Sequence, residues 1–454
     1  MTLAATFSLD DLVADLDDWS VVPADVESAS RDRSGSPIGP AAVVVRAGSV
    51  EQVQATLRFA QLHGIAVVPR GAGSGVAGGA VAGVGSIVLD LSRLDRIVEI
   101  RADDQVAVVE PGVITADLDA AAGAHGLFYA PDPGSVGIST IGGNIATNAG
   151  GLRGAKYGVT RDAVLSLDVV LADGQLITVG RETLKRVTGY DLLGLLVGSE
   201  GTLGVVVRAT LRLLPRPVAT STVAAYFESI DEAAAAAIAV RASGVRPVVL
   251  EIVDGPTLAA IDALEGTQLR ANGAAFLLAQ SDGHAAAIEA GVIADVLTPL
   301  AAYVETSDDP VESARLMTAR RQALPALERI GRVVIEDIAV PPSRLAEAIR
   351  GIHAIAEETG ARIFVFAHAG DGNVHPILVV DDGEEVLPPH ALEAVDRIFA
   401  LALNLGGTLT GEHGVGLLKR DWVTREVGGV VDGLQHAIKS LFDPAGILNP
   451  GKAI

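Results

Sequence analysis

The chain has no cysteine among its 454 residues. That absence excludes disulfides, thiolate metal sites, iron–sulfur clusters and cysteine nucleophiles together. Positive charge is also scarce, with 34 Lys and Arg against 56 Asp and Glu and a net charge of −22. A surface that acidic repels phosphate backbones and anionic lipids, so nucleic acid is excluded as a partner. Although 49% of the residues are hydrophobic, no uncharged apolar run reaches the ~18 residues of a membrane helix, so the chain is not membrane-spanning. No Lys or Arg precedes Arg31, and the N-terminus therefore lacks the positive region of a signal peptide. A cytoplasmic protein is expected, with loose membrane association left open. Domains of about 150 residues would make two or three of this length.

Glycine is abundant, with 51 residues, and is concentrated in blocks. Between the blocks the chain reads as alternating strands and helices. Ser49 and Gln52 form a capping box for a helix with Val53, Leu57 and Ala60 on one face. Gly64 ends it, and Ile65 to Val68 reads as a buried strand. Ser86 to Leu91 is another. Residues 130–158 are rich in Gly, Asn, Ser and Pro with little helical periodicity, and long irregular stretches inside a domain are usually functional. Two prolines in Leu213-Leu214-Pro215-Arg216-Pro217 mark a domain boundary. Beyond it come a strand at Thr222 to Phe227, a helix capped by Ser229 and Glu232 that runs to Gly244, and a strand at Val248 to Val253. Segments 362–368 and 374–380 read as two strands joined by a tight turn at Asp371-Gly372.

Gly73-Ser74-Gly75-Val76-Ala77-Gly78 matches the dinucleotide fingerprint G-x-G-x-x-G and follows a strand, with Asp90 further on as a ribose-binding acid. That fingerprint needs a helix to begin inside the loop. Here Gly79-Ala80-Val81-Ala82-Gly83-Val84-Gly85 follows, too glycine-rich for a stable helix. The loop is either a flexible surface turn or a nest of backbone N–H groups that cradles a diphosphate. Two further blocks favour the nest. One runs from Pro131 to Gly151, and the other is Gly198-Ser199-Glu200-Gly201-Thr202-Leu203-Gly204-Val205-Val206. Three such loops suit a large cofactor held mostly by backbone.

Three of the nine histidines fall in His368-Ala369-Gly370-Asp371-Gly372-Asn373-Val374-His375 and Gly411-Glu412-His413-Gly414. If Asp371-Gly372 turns a hairpin, His368 and His375 stand close on adjoining strands. Two imidazoles, one carboxylate and an open position suit zinc or a similar divalent ion in catalysis. The alternative is a polar hairpin with incidental histidines.

These blocks resemble the FAD-binding domain of the vanillyl-alcohol oxidase superfamily. Within it the chain looks like the branch of bacterial glycolate oxidase, FAD-dependent D-lactate dehydrogenase and D-2-hydroxyglutarate dehydrogenase. The markers are Pro69-Arg70-Gly71-Ala72-Gly73-Ser74-Gly75, the Pro131 to Gly151 block, Gly189-Tyr190-Asp191-Leu192 and the Glu200 to Val206 turn. The resemblance implies a two-domain α+β fold of the FAD-binding, p-cresol methylhydroxylase type. It would comprise an FAD-binding domain at 1–217, a cap domain with an antiparallel sheet at 218–410, and a C-terminal segment at 411–454 returning to the first. The substrate would lie between the domains.

It further implies that Arg70, Gly71, Ala72, Gly73, Ser74 and Gly75 hold the pyrophosphate. Pro133, Gly134, Ser135, Ser139, Thr140, Gly143, Thr147, Asn148, Ala149, Glu200, Gly201, Gly204 and Val206 would line the rest of the cofactor, and Asn449 would return to the flavin. His368, His375 and Glu412 would ligate a divalent metal, zinc or manganese, with His413 as general base; a neutral imidazole of pKa about 6.5 suits that task. In Thr318-Ala319-Arg320-Arg321-Gln322-Ala323-Leu324-Pro325 the resemblance places a substrate-carboxylate arginine. Arginine suits bidentate carboxylate binding, and Arg320 is preferred to Arg321, the alternative being a solvated helix face. Lys419 is a weaker candidate of the same kind, with a surface lysine as the favoured reading. No histidine stands in the glycine loops for a covalent link, so the FAD is non-covalent.

The chain departs from the pattern at Ala367, where glycine is common, at Pro376-Ile377 after His375, and in lacking a lysine before Asp337. The last two differences favour glycolate, D-lactate or a larger apolar D-2-hydroxy acid over a dicarboxylate. The expected activity is metal-assisted, FAD-dependent oxidation of such an anion to the 2-oxo acid. Electrons would pass to a quinone, cytochrome, electron-transfer flavoprotein or iron–sulfur subunit, and a homodimer is compatible with these features. The alternatives are a flavin subunit active only inside an electron-transfer complex, and a metal-independent alcohol or sugar oxidase.

Overall fold

Ser49 accepts a hydrogen bond from the Gln52 N–H, while the Gln52 side-chain oxygen accepts one from Gly48. These two bonds start the helix Val50–His63, and Gly64, at φ +62°, ends it. Its Val53, Leu57 and Ala60 face is buried against strand residues Val43, Val45, Val67, Ile87 and Leu89. The expected strand at 65–68 begins two residues later, because the Ile65 N–H is spent on the Ala60 carbonyl at the helix end.

The computed structural model describes residues 12–14, 16–37, 39–381 and 387–454; the N-terminal stretch considered above for a signal peptide lies partly outside them. One unit takes the chain up to Gly150 together with Val159–Arg216 and His413–Ile454; the other takes Gly151–Gly158 and Pro217–Glu412.

The first unit has two sheets. β1 (Trp19–Ser20), β2 (Val43–Arg46), β3 (Val67–Arg70) and β4 (Ile87–Asp90) lie in the order β1-β2-β4-β3, the last three parallel. β5 (Ile97–Arg101), β6 (Val106–Val109), β8 (Val164–Val170), β9 (Leu176–Gly180) and β10 (Val205–Arg212) form an antiparallel sheet ordered β5-β6-β10-β8-β9. A small pair joins β7 (Leu127–Phe128) to β11 (Leu214–Pro215).

Residues 130–158 are more ordered than their composition implies. Thr140 caps a helix at Ile141–Thr147 by accepting from the Gly143 N–H, and Asn148 closes it at φ +54°. Ile141 and Ile145, one turn apart, are fully buried. Caps at both ends and that burial outweigh two helical glycines. Gly151–Gly158, expected in the first domain, belongs to the second unit. There Leu152 and Tyr157 pack on the core, the Tyr157 hydroxyl donates to Asp282 over 2.7 Å, and Lys156 pairs with the same carboxylate at 2.5 Å.

The second unit is built on one antiparallel sheet. β12 (Thr220–Phe227), β13 (Val249–Asp254), β14 (Ala275–Asp282), β15 (Tyr303–Ser307), β16 (Arg332–Ile335), β18 (Ile363–His368) and β19 (Asn373–Val380) are ordered β15-β12-β14-β13-β18-β19-β16, and β17 (Ile338–Ala339) also pairs with β19. Ser229 caps the alanine-rich helix Ile230–Ala242 as expected.

The β18–β19 hairpin pairs Phe366 with His375 and His368 with Asn373. The Gly372 N–H closes the turn on the His368 carbonyl at 2.9 Å. Gly372 has φ +91°, and a Cβ there would strike the Val340 carbonyl oxygen. Gly372→Ala should therefore destabilise this unit by more than about 1 kcal/mol. A lowered urea midpoint in that variant is the expected reading.

Candidate functional site

In the first unit the three glycine blocks converge. The loop after β3 contains no helix. Its backbone N–H groups from Gly71 to Val76 donate to no described residue. Gly71 approaches Thr140 so closely that a Cβ would collide with the threonine hydroxyl. Gly198 and Glu200 donate backbone N–H groups to Ile145 and Ala146 in the capped helix. Gly201 packs against Pro69 at the end of β3.

The C-terminal segment locks this arrangement. Asn449, 1% exposed, donates through its amide nitrogen to the carbonyls of Gly79 and Glu200, at 2.9 and 2.7 Å. Its amide oxygen accepts from Lys452 at 2.7 Å. The Glu200 carboxylate accepts from the backbone of Val415 and Gly416. Burial raises its pKa above the ordinary value, opposed by those two N–H groups and by Lys452 and Lys419. Burial also pushes Lys452 down to about 8. Lys419 is not on the surface: it is 2% exposed and its charge bears on Glu200.

Several side chains expected near a cofactor are thus engaged in holding loops. Ser139 is buried against the Thr115 hydroxyl, Thr147 donates to the Gly143 carbonyl, and Asn148 accepts from the Arg161 N–H. The Ala149 carbonyl accepts from Thr160. Gly204 admits the Val169 side chain, and Val206 pairs with Val169 across the sheet. Arg70 donates to the Arg31 carbonyl and lies where a Gly73 Cβ would be. Gly75 and Gly134 have only open space beyond them. The arrangement leaves backbone, chiefly the 71–76 N–H groups, to meet an anion. That fits a diphosphate.

In the second unit the hairpin brings His368 and His375 to a ring separation of 5.0 Å, nearly perpendicular. Glu412 reaches both, its Oε1 lying 3.6 Å from His368 Nε2 and 3.4 Å from His375 Nε2. Ligand atoms of all three lie within 4.8 Å of one another. Two imidazoles and a carboxylate so placed fit a divalent ion with coordination positions to spare. Asp337, fully buried, sets Glu412 by accepting from its backbone N–H at 3.0 Å and from Thr410 at 2.6 Å. Burial disfavours charge on His368, yet the Glu251 and Glu412 carboxylates together raise its pKa well above the ordinary imidazole value.

The arginine pair is resolved as well. On the helix Pro310–Arg321, Arg321 is exposed. Arg320 is 13% exposed, donates from Nε to Glu251 at 2.7 Å and stacks over Phe366 at 4.2 Å. His413 follows Glu412 directly and is half-buried. Glu251, Asp337, Phe366 and Lys452 escaped the sequence reading. Only Glu251 carried a signal, a lone carboxylate inside the apolar run Val248-Val249-Leu250-Glu251-Ile252-Val253.

The first unit thus offers a glycine-lined cradle that fits a diphosphate, and the second a cluster of two imidazoles and a carboxylate that fits a divalent ion. Residues 41–180 match the FAD binding domain family, and residues 216–453 match the family of FAD linked oxidases, C-terminal domain. The chain belongs to the FAD-linked oxidases. It is 40% identical over 413 residues to glycolate oxidase subunit GlcD of Bacillus subtilis, covering 90% of this chain and 88% of that protein. It is 39% identical over 415 residues to D-lactate dehydrogenase of Archaeoglobus fulgidus, covering 91% of each. The crystal structure of p-cresol methylhydroxylase with substrate bound superposes with a TM-score of 0.82 at 17% identity, over 98% of this chain and 96% of that one. The fold is of the p-cresol methylhydroxylase type. Among the described residues no helix is long and apolar enough to cross a membrane.

Asn449→Ala takes their side-chain donor from the Gly79 and Glu200 carbonyls and one of two acceptors from Lys452, which keeps the Val81 carbonyl. A stability loss of about 1–3 kcal/mol is expected. Faster flavin release, followed by the fluorescence of free FAD on heating, should accompany it.

Proposed function

We propose that this protein oxidises a D-2-hydroxy acid, namely glycolate, D-lactate or a larger apolar analogue, to the 2-oxo acid, using non-covalent FAD and divalent zinc or manganese. The observation that carries this reading is the cluster of His368, His375 and Glu412, with Arg320 of the neighbouring helix held against the same sheet by Glu251. Family membership supports the redox class; the apolar Pro376 and Ile377 after His375 support a substrate without a second carboxylate.

When bound, FAD supplies the two-electron acceptor for the substrate C2 hydride, and the divalent ion supplies Lewis acidity toward the hydroxyl and carboxylate oxygens. The 71–76 N–H groups hold the diphosphate. The terminal nitrogens of Arg320 bind the substrate carboxylate, the geometry for which a guanidinium is suited. His368, His375 and Glu412 hold the ion. His413 takes the hydroxyl proton on a ring nitrogen, so that loss of this proton and of the C2 hydride leaves a carbonyl. With no cysteine in the chain, the electrons leave to a separate acceptor, and the protein works in the cytoplasm.

Anaerobic bleaching of the flavin absorbance by paired D- and L-2-hydroxy acids, with and without a chelator, tests this. Bleaching by a D-acid that the chelator abolishes is expected. D-acid bleaching indifferent to the chelator removes the metal, and a metal-loaded flavoprotein that no hydroxy acid bleaches removes the substrate class. His413→Asn should retain FAD and lose about 100-fold or more in flavin reduction. His368→Ala should lose bound metal with an unchanged flavin spectrum.

A further inference from the structure

Glu251 lies within β13 and is 0% exposed. Burying a carboxylate is costly unless it is well paired and hydrogen-bonded. An apolar residue would fill the position at less cost. The two oxygens of this carboxylate do different things. Oε1 lies 2.6 Å from His368 Nδ1, directly across the β13–β18 ladder, where Glu251 and His368 are register partners. Oε2 accepts from Arg320 Nε at 2.7 Å.

Each contact constrains its partner. An ionised carboxylate only accepts, so the Nδ1 facing it carries hydrogen. The other ring nitrogen, Nε2, is the one directed at Glu412. A histidine held this way presents Nε2 as the ligand atom. Arg320 is fixed by its Nε bond on one side and by the Phe366 ring on the other. Its two terminal nitrogens donate to no described residue.

We infer that Glu251 is a shared positioning residue, which orients the metal-ligating nitrogen of His368 with one oxygen and the anion-binding face of Arg320 with the other. The inference rests on the proposed roles of His368 and Arg320. Glu251 makes its contribution through these two side chains, so its loss reaches metal binding and substrate binding together. In Glu251→Gln one oxygen remains, and the amide NH2 must face either the Arg320 N–H or the His368 ring. Facing the ring, it turns Nδ1 into an acceptor and puts the hydrogen on Nε2. Facing the arginine, it opposes donor to donor.

The test uses FAD-loaded protein stripped of metal by a chelator. Calorimetric titration with zinc gives metal affinity, and D-lactate oxidation with a dye acceptor after reloading gives KM and kcat. Glu251→Gln should bind zinc about 10- to 100-fold more weakly and show a raised KM for D-lactate, with unchanged flavin content in the folded protein. Arg320→Met should raise KM while leaving zinc affinity within a small factor of wild type. If Glu251→Gln does not fold, Glu251→Asp replaces it; the carboxylate then withdraws by one methylene and should lose the same two properties in smaller measure. Wild-type zinc affinity in a folded Glu251 variant, or a change confined to one of the two properties, overturns the shared role. Zinc binding by His368→Ala equal to wild type overturns the metal reading itself, and the inference with it.

Discussion

The register of one hairpin underlies the side-chain cluster of the second unit. Side chains alternate along a strand, so a slip of one residue between β18 and β19 would turn either histidine to the opposite face of the sheet. Pairing Phe366 with His375 and His368 with Asn373 keeps both imidazoles on one face, two positions apart. Gly372 enforces that pairing, since only a residue without Cβ fits under the Val340 carbonyl at its positive φ. Everything arranged around the imidazoles inherits this register. Glu251 meets His368 across the next ladder, and Phe366, opposite His375, supplies the ring on which Arg320 rests.

The first unit solves a different problem, that of keeping glycine-rich loops in one conformation. Glycine lets the main chain approach a flat or charged ligand, but it carries the largest entropic cost of ordering. Asn449, Glu200, Lys452 and the capped helix Ile141–Thr147 meet that cost with buried hydrogen bonds. The division of labour is clear: polar side chains grip loops, and the 71–76 N–H groups donate to no described residue. In both units buried polar groups hold other groups in place, Asn449 the Gly79 and Glu200 carbonyls in the first and Glu251 the side chains of His368 and Arg320 in the second.

Much of this was legible in the sequence because it depends on short-range rules. The caps at Ser49 and Ser229, the stop at Gly64, the absence of a helix after Gly78 and the turn at Asp371-Gly372 follow from propensity and spacing. The helix Ile141–Thr147 did not, because two glycines hid it while Thr140 and Asn148 capped it. The membership of Gly151–Gly158 was hidden as well, since it depends on Asp282, more than a hundred residues away in the chain.

Local patterns of residue type and spacing were enough for the glycine blocks and the two histidine motifs, and the resemblance these motifs carry gave the family. Folding in three dimensions was needed to seat Arg320 on Glu251 and Phe366, to bury Lys419, and to stand Glu251 between His368 and Arg320. Sixty-nine residues separate Glu251 from Arg320 and 117 separate it from His368. No periodicity reaches across such distances. Strand pairing does, by bringing β13 beside β18, and burial then leaves a carboxylate only the partners that the fold has placed within reach.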